Sequence, residues 1–207
     1  MFALQANTLD APTLMIQEYN ENFLLKKSGR QSQLTDRQVQ TYLNRNMRFT
    51  SVERVTRMAK LINKLAKENH LPAGLILSVI KVESNFQPWA VSPRGALGLM
   101  QVMPETGEWL AKRFNMPWHG PALLLDEQYN ATLGVRYLAY LRDKYRGDLK
   151  KILSAYNRGP GKVDFDVSEG KSLTLEYYDK IKQYLPRLAQ ANYQPNFDGR
   201  RVVQSVQ

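Results

Sequence analysis

Glu83 is the acidic residue best placed for chemistry, because it ends the nearly apolar segment 73–84 and precedes a loop rich in glycine and proline. A carboxyl group in this position is expected to lie partly out of water, at the floor of a groove. Loss of water disfavours the charged form and raises the pKa of a carboxyl group. A general acid that works near neutral pH needs such a pKa. The alternative is a carboxylate at a helix end that simply faces solvent.

The loop after Glu83 combines backbone freedom with side chains that suit a sugar. Gly95 and Gly98 permit backbone conformations that other residues resist, so the loop can pass close to whatever Glu83 faces. Two polar and two apolar side chains of this loop are expected to contact a ligand: Ser92, Gln101, Met100 and Met103. Polar edges and apolar faces are the features of a sugar ring. The alternative is an ordinary turn with a buried methionine pair.

Two later segments carry further candidates. Asn130, Gly134 and Tyr137 share one face of a predicted helix, where Gly134 would let the central helix approach closely. Tyr156 is expected to point its phenol into the groove, and Asn157 is expected to tie the following turn to itself.

These three segments resemble the signature of the lytic transglycosylases that cleave peptidoglycan, in the branch whose soluble catalytic domain is similar to goose lysozyme. The matching blocks are Glu83-Ser84 with residues 90–106, then residues 130–138, then residues 155–161, and the resemblance spans about residues 52–188. It implies an all-α, lysozyme-like domain with a substrate groove and a central buried helix that ends at a catalytic Glu83.

The resemblance also implies a reaction that uses Glu83 alone as acid and then as base. The 2-acetamido group of the substrate would assist, an exception to the usual pair of carboxyl groups. The product would be 1,6-anhydro-N-acetylmuramic acid. No cofactor or metal is implied. The implied substrate-binding residues are Ser92, Gln101, Met100, Met103, Tyr137, Tyr156 and Asn157.

Two other functions stay open at this point. A second carboxylate that faces Glu83 across a water-sized gap would make the protein a hydrolytic lysozyme, although each candidate has a structural explanation. These candidates are Glu105, Glu108, Asp126, Asp143 and Asp148. A peptidoglycan-binding or assembly module without turnover is the other alternative.

Composition narrows the class of protein. The 207 residues include 29 Lys and Arg against 19 Asp and Glu, a net charge of +10 that favours anionic partners such as envelope polymers. The cations are spread along the chain, which disfavours nucleic acid as the partner. The absence of cysteine excludes disulfides and cysteine-ligated metals. No segment is long and apolar enough to predict a transmembrane helix.

The start of the chain shows no signal peptide, since residues 1–13 lack a basic start and an apolar stretch. We therefore expect either a cytosolic protein or a mature one whose signal or anchor was removed. The resemblance favours the second, in the bacterial envelope or periplasm or outside the cell.

Helical periodicity and capping residues predict the elements that must position these side chains. We expect an N-terminal arm or helical extension over residues 1–49, a catalytic domain over 50–190 and a tail over 191–207. The predicted helices cover about residues 35–49, 50–70, 73–84, 104–114, 126–146, 148–156 and 173–189, with loops over 85–98 and 115–125.

Overall fold

A computed structural model describes residues 34–47 and 50–191, with side chains placed as far as residue 185. The described residues form eight α-helices: α1 Asp36–Asn46, α2 Val52–Glu68, α3 Ala73–Ser84, α4 Pro104–Arg113, α5 Glu127–Lys144, α6 Leu149–Arg158, α7 Pro160–Ser168 and α8 Glu176–Ala191. A 3₁₀ helix, Pro121–Leu125, precedes α5. The all-α prediction is confirmed.

Helix α3 lies at the centre, as its composition predicts. Each residue from Ala73 to Ile80 is buried, because the helix is apolar on every face and packs against α2 and α8. The hydroxyl of Ser78, within this stretch, donates to the carbonyl of Gly74 at 2.8 Å and so is satisfied. The core therefore surrounds the helix that carries Glu83.

Capping residues begin several helices where the sequence predicts. Thr35 and Gln38 form both bonds of a capping box on α1. Asp126 caps α5 and Asp148 caps α6, each accepting from a backbone N–H of the first turn. Helix α2, predicted from residue 50, begins at Val52 because Ser51 is its cap and accepts from the N–H of Arg54 at 3.2 Å.

The structure departs from the sequence prediction in two places. Residues 160–168 form α7, although Gly159-Pro160-Gly161 indicates a break. The left-handed Gly159 turns the chain between α6 and α7, and Pro160 then suits the first position of the new helix. The predicted loop 115–125 ends in the 3₁₀ helix.

The ends of the chain are described only in part. The predicted arm is described from residue 34, where α1 packs against α2 through Val39 and Leu43. The proposed domain boundary at residue 50 stays a prediction, and most of the arm and nearly all of the tail lie outside the described residues. Within the described ranges, no helix has the length and apolar character needed to cross a membrane.

Candidate active site

Glu83 occupies the last turn of α3, at the point where the backbone turns sharply. Asn85 and Phe86 both adopt left-handed conformations, with φ of 50° and 65°. Such a conformation is costly for a bulky residue such as phenylalanine and needs support from the surrounding structure. Arg54 supplies part of it, since its guanidinium donates to the carbonyl of Phe86 at 3.4 Å and pairs with Glu127 at 2.6 Å.

The surroundings of Glu83 suit a general acid. Burial raises the pKa of Glu83 to about 7, and a hydrogen bond from the Tyr177 hydroxyl opposes part of this rise. Loss of hydration therefore outweighs the stabilisation of the carboxylate by its donor. Among the described residues, no carboxylate contributes to this pKa.

Tyr177 is the residue of the site that sequence reasoning missed. Its hydroxyl donates to Oε1 of Glu83 at 2.5 Å from α8, 94 residues further along the chain. Burial and the charge of Glu83 hold the pKa of Tyr177 well above its ordinary value, so the hydroxyl keeps its proton at neutral pH. The paired Tyr177-Tyr178 in an amphipathic helix was the available signal, but it also fits plain packing.

A series of aromatic rings, here called the aromatic row, extends from Glu83 through α8, α6, α5 and α4. It consists of Tyr177, Tyr156, Tyr137, Tyr140 and Trp109. Successive ring centroids lie 6.4, 5.5, 6.3 and 5.2 Å apart. The row links the carboxyl group to the exposed Trp109 on α4 through continuous ring contacts.

The Tyr156 phenol is bonded within the protein, and its contact with a substrate stays a prediction. The hydroxyl donates to the backbone carbonyl of Met100 at 2.9 Å, so it holds the loop that follows Glu83. Burial is the main cause of the raised pKa of Tyr156, and the charge of Glu83 is the second cause. Tyr156 and Glu83 therefore lie in the same site.

Ser92 and Gln101 stabilise the loop that carries them. The Ser92 hydroxyl oxygen accepts from the N–H of Ala96 at 2.9 Å. The Gln101 amide donates to the carbonyls of Ala90 and Gly98 at 3.0 and 2.8 Å. A contact of either side chain with a substrate stays a prediction.

Met100 is not an apolar wall of a groove, because its side chain is fully buried. It packs against Gly134, where a Cβ atom would lie 2.5 Å from the Met100 sulfur. The prediction that Gly134 admits the central helix is therefore wrong. The residue that approaches it is Met100, and the close contact joins the loop to α5.

Asn130 fastens the same loop from α5. Its Oδ1 accepts from the N–H of Met100, and its Nδ2 donates to the carbonyls of Leu97 and Leu124, each at 2.8 Å. A Cβ atom at Gly98, where φ is 76°, would lie 2.2 Å from the Leu124 carbonyl oxygen. Glycine is therefore required for the loop to reach Asn130.

The remaining predicted residues lie at different depths. Tyr137 is a nearly buried member of the aromatic row, and Met103 is a half-buried residue that precedes α4. Asn157 is exposed near the end of α6. Its predicted tie to the following turn is wrong, because the side chain forms no hydrogen bond within the described residues.

The substrate groove at Glu83 stays a prediction. A cavity of about 840 Å³ lies beside the turn after Glu83 and is lined by Lys81, Asn85 and Trp89 among others, but not by Glu83. Among all residues that the structure describes, no three histidine or acidic side chains group closely enough to hold a metal ion.

Comparisons with known proteins agree on one family. The sequence model of one protein family, described as "Transglycosylase SLT domain", matches residues 60–178. The soluble lytic murein transglycosylase of Escherichia coli K12 is 34% identical over 104 residues, which cover 50% of this chain and 16% of that protein. The membrane-bound lytic murein transglycosylase C of Haemophilus ducreyi is 35% identical over 150 residues, which cover 68% of this chain and 41% of that protein.

A solved structure supports the fold. The lytic transglycosylase Slt of Pseudomonas aeruginosa, as an inactive mutant, superimposes with a TM-score of 0.53 at 24% sequence identity. The superposition covers 73% of this chain and 26% of that one. This chain therefore spans less than half of the length of each of these relatives.

Proposed function

Because the chain belongs to the transglycosylase SLT domain family, we propose that it is a peptidoglycan lytic transglycosylase. It cleaves the β-1,4 bond between N-acetylmuramic acid and N-acetylglucosamine. The observation that carries the proposal is the half-buried Glu83, whose pKa is raised to about 7 and whose carboxyl group accepts from Tyr177. A pKa near the operating pH lets one group donate a proton in the first step and take one back in the second.

The reaction follows from this single carboxyl group. Protonated Glu83 donates its proton to the oxygen that bridges the two sugars, and the bond from that oxygen to C1 of muramic acid breaks. The acetamido oxygen of the same sugar stabilises the positive charge at C1. Ionised Glu83 then takes the proton of the 6-hydroxyl group as its oxygen bonds to C1. The product is the 1,6-anhydro sugar, no water is consumed, and Glu83 ends protonated.

Tyr177 is a positioning residue in this mechanism. Its donated hydrogen bond holds one carboxylate oxygen, which leaves the other oxygen to face the substrate. The proposed substrate-binding residues are Ser92, Gln101, Met103, Tyr137, Tyr156 and Asn157. Met100 supports them from the core.

The setting of the reaction is the bacterial envelope, where the substrate lies. A net charge of +10 suits a polymer whose peptides carry carboxylates and whose neighbours carry phosphates. The chemistry above requires neither a metal ion nor an organic cofactor.

Products of purified peptidoglycan test the proposal. Mass spectrometry should show muropeptides lighter by one water than hydrolytic fragments, and Glu83→Gln should abolish their release. Glu105→Gln is the matched control, because Glu105 is an exposed carboxylate in the first turn of α4. Reducing-end fragments from the native protein would identify a hydrolytic lysozyme. Wall binding without any release over a range of pH would identify a binding module.

A further inference from the structure

A second cavity, of about 380 Å³, lies where the ends of α2 and α4 meet α5. Four cationic side chains line it: Arg113, Arg136, Arg142 and Lys144. Two acidic side chains, Glu68 and Asp143, also line it. Its size suits a small group or the end of a short peptide rather than a folded partner.

Two of these cations already have anionic partners. Lys144 pairs with Asp164 at 2.9 Å, and Arg142 pairs with Asp143 at 2.8 Å. The carboxylate of Glu68 lies 3.9 Å from Lys64 on its own helix. The acidic groups at the cavity are thus directed at cations other than Arg113 and Arg136.

Arg113 and Arg136 are held in place by aromatic rings instead. The guanidinium of Arg113 lies 4.9 Å from the ring centroid of Tyr140 and 5.7 Å from that of Trp109. The guanidinium of Arg136 lies 5.3 Å from the ring centroid of Phe114. Neither forms an ion pair with an acidic side chain of the described residues. Ring faces orient a guanidinium and leave its N–H donors available, which suits bidentate binding of an oxyanion.

The cavity is connected to the active site by the aromatic row. Tyr140, whose ring lies under the guanidinium of Arg113, is the fourth ring of the row counted from Glu83. The neighbouring ring, that of Trp109, is 41% exposed. Trp109 and Arg113 stand one turn apart on α4, so a sugar ring against the indole would bring its substituents to the arginine.

We propose that Arg113 and Arg136 bind a carboxylate of the peptide attached to the same glycan strand whose sugars occupy the active site. This inference rests on the proposed function. Carboxylate and phosphate share the chemistry that a guanidinium pair recognises. The exposed Trp109, which lies beside Arg113 at the end of the row that begins at Glu83, favours a group carried by the substrate itself over a phosphodiester of a separate envelope polymer.

Binding measurements in the Glu83→Gln background test this proposal without cleavage. The probes are glycan strands that keep their uncrosslinked peptides, and the same strands after an amidase has removed the peptides. Arg113→Gln/Arg136→Gln should raise the Kd for peptide-bearing strands about tenfold and leave that for stripped strands within about twofold. The matched control is Lys60→Gln/Lys112→Gln, two exposed cations outside the cavity, which should leave both values within about twofold.

Each other outcome overturns the proposal. Equal weakening for both kinds of strand, or the same loss in the control, would show that the arginines do not read the peptide. A loss confined to a soluble polyglycerol phosphate would assign the site to phosphodiesters. Arg113→Lys/Arg136→Lys keeps both charges and guards against misfolding, and its Kd should fall between those of the parent and the glutamine variant.

Failure of the proposed function is distinguishable from failure of this inference. If the native protein released hydrolytic fragments while the peptide-dependent loss persisted, the reaction would be wrong and the carboxylate site would stand. If anhydro products appeared and the arginine pair had no effect on binding, only the site would be wrong.

Discussion

Glu83 and Tyr177 together set the protonation of the candidate acid. Burial raises the pKa of Glu83, while the donated hydrogen bond lowers it, and the balance lies at about 7. At pH 7 about half of the molecules then carry the protonated carboxyl group. Only this protonated half can begin the proposed reaction, and the transfer of its proton to the bridging oxygen produces the carboxylate that the second step needs.

Tyr177→Phe should shift the pH profile of activity. The variant removes the donor that stabilises the Glu83 carboxylate, so the pKa of Glu83 rises further. Since the first step needs the protonated form, activity is lost as pH rises through this pKa. We expect the alkaline limb of the kcat/KM profile to move to higher pH and kcat to fall at least several-fold.

Tyr178→Phe is the control for this prediction. It removes a hydroxyl group from the next residue of α8, and this hydroxyl makes no contribution to the pKa of Glu83. Its alkaline limb should coincide with that of the native protein. A Tyr177→Phe profile that differs only in height, with no shift along the pH axis, would show that Tyr177 supports the fold rather than the carboxyl group.

At the scale of elements, α5 and the loop after Glu83 behave as one unit. Asn130 satisfies three backbone groups of the loop and the 3₁₀ helix, and Gly134 admits Met100. Tyr156 adds a bond from α6 to Met100. Residues 97–102, which hold Gln101, are thereby fixed between two helices.

Asn130→Ala should destabilise the protein by roughly 2 kcal/mol or more. It removes the bonds to the N–H of Met100 and the carbonyl of Leu124, whereas the carbonyl of Leu97 still accepts from the N–H of Val102 at 3.0 Å. Each unsatisfied buried group costs about 1–3 kcal/mol. Urea unfolding followed by circular dichroism measures the free energy of unfolding. Thr132→Ala is the control on the same helix, since the Thr132 hydroxyl bonds only to its own helix, and it should stay within about 0.5 kcal/mol of the native protein. Equal stabilities of the two variants would contradict the role of Asn130.

Local signals predicted most helices, whereas α7 was missed for a physical reason. Asp126 could be identified as a cap because a cap bonds within its own first turn. Gly159 and Pro160 are typical both of a break and of a helix start. Whether the chain breaks or starts a helix there depends on whether the residues that follow can pack against another element. In this protein α7 packs against α6.

At the scale of the whole molecule, the net charge of +10 predicts salt-sensitive binding to the cell wall. Screening shortens the reach of exposed charges to about 8 Å at physiological ionic strength and about 3 Å at 1 M. The bound fraction of the Glu83→Gln protein, measured by co-sedimentation with peptidoglycan, should therefore fall severalfold from low to high salt. Affinity for an uncharged N-acetylglucosamine oligomer should change by less than about twofold. Wall binding that ignores salt would contradict a role for the net charge.

The sequence by itself determined most of the helices, some of their caps and the position of Glu83 at the end of an apolar helix, because these depend on residues within a few turns of one another. It also placed Ser92, Gln101 and Met100 in one loop, but not what they do there. The tertiary structure alone decided that Tyr177 meets Glu83, that Met100 is buried against Gly134, and that Arg113 and Arg136 share a cavity. These pairings join separate segments of the chain, and packing between helices, rather than local periodicity, determines which side chains meet.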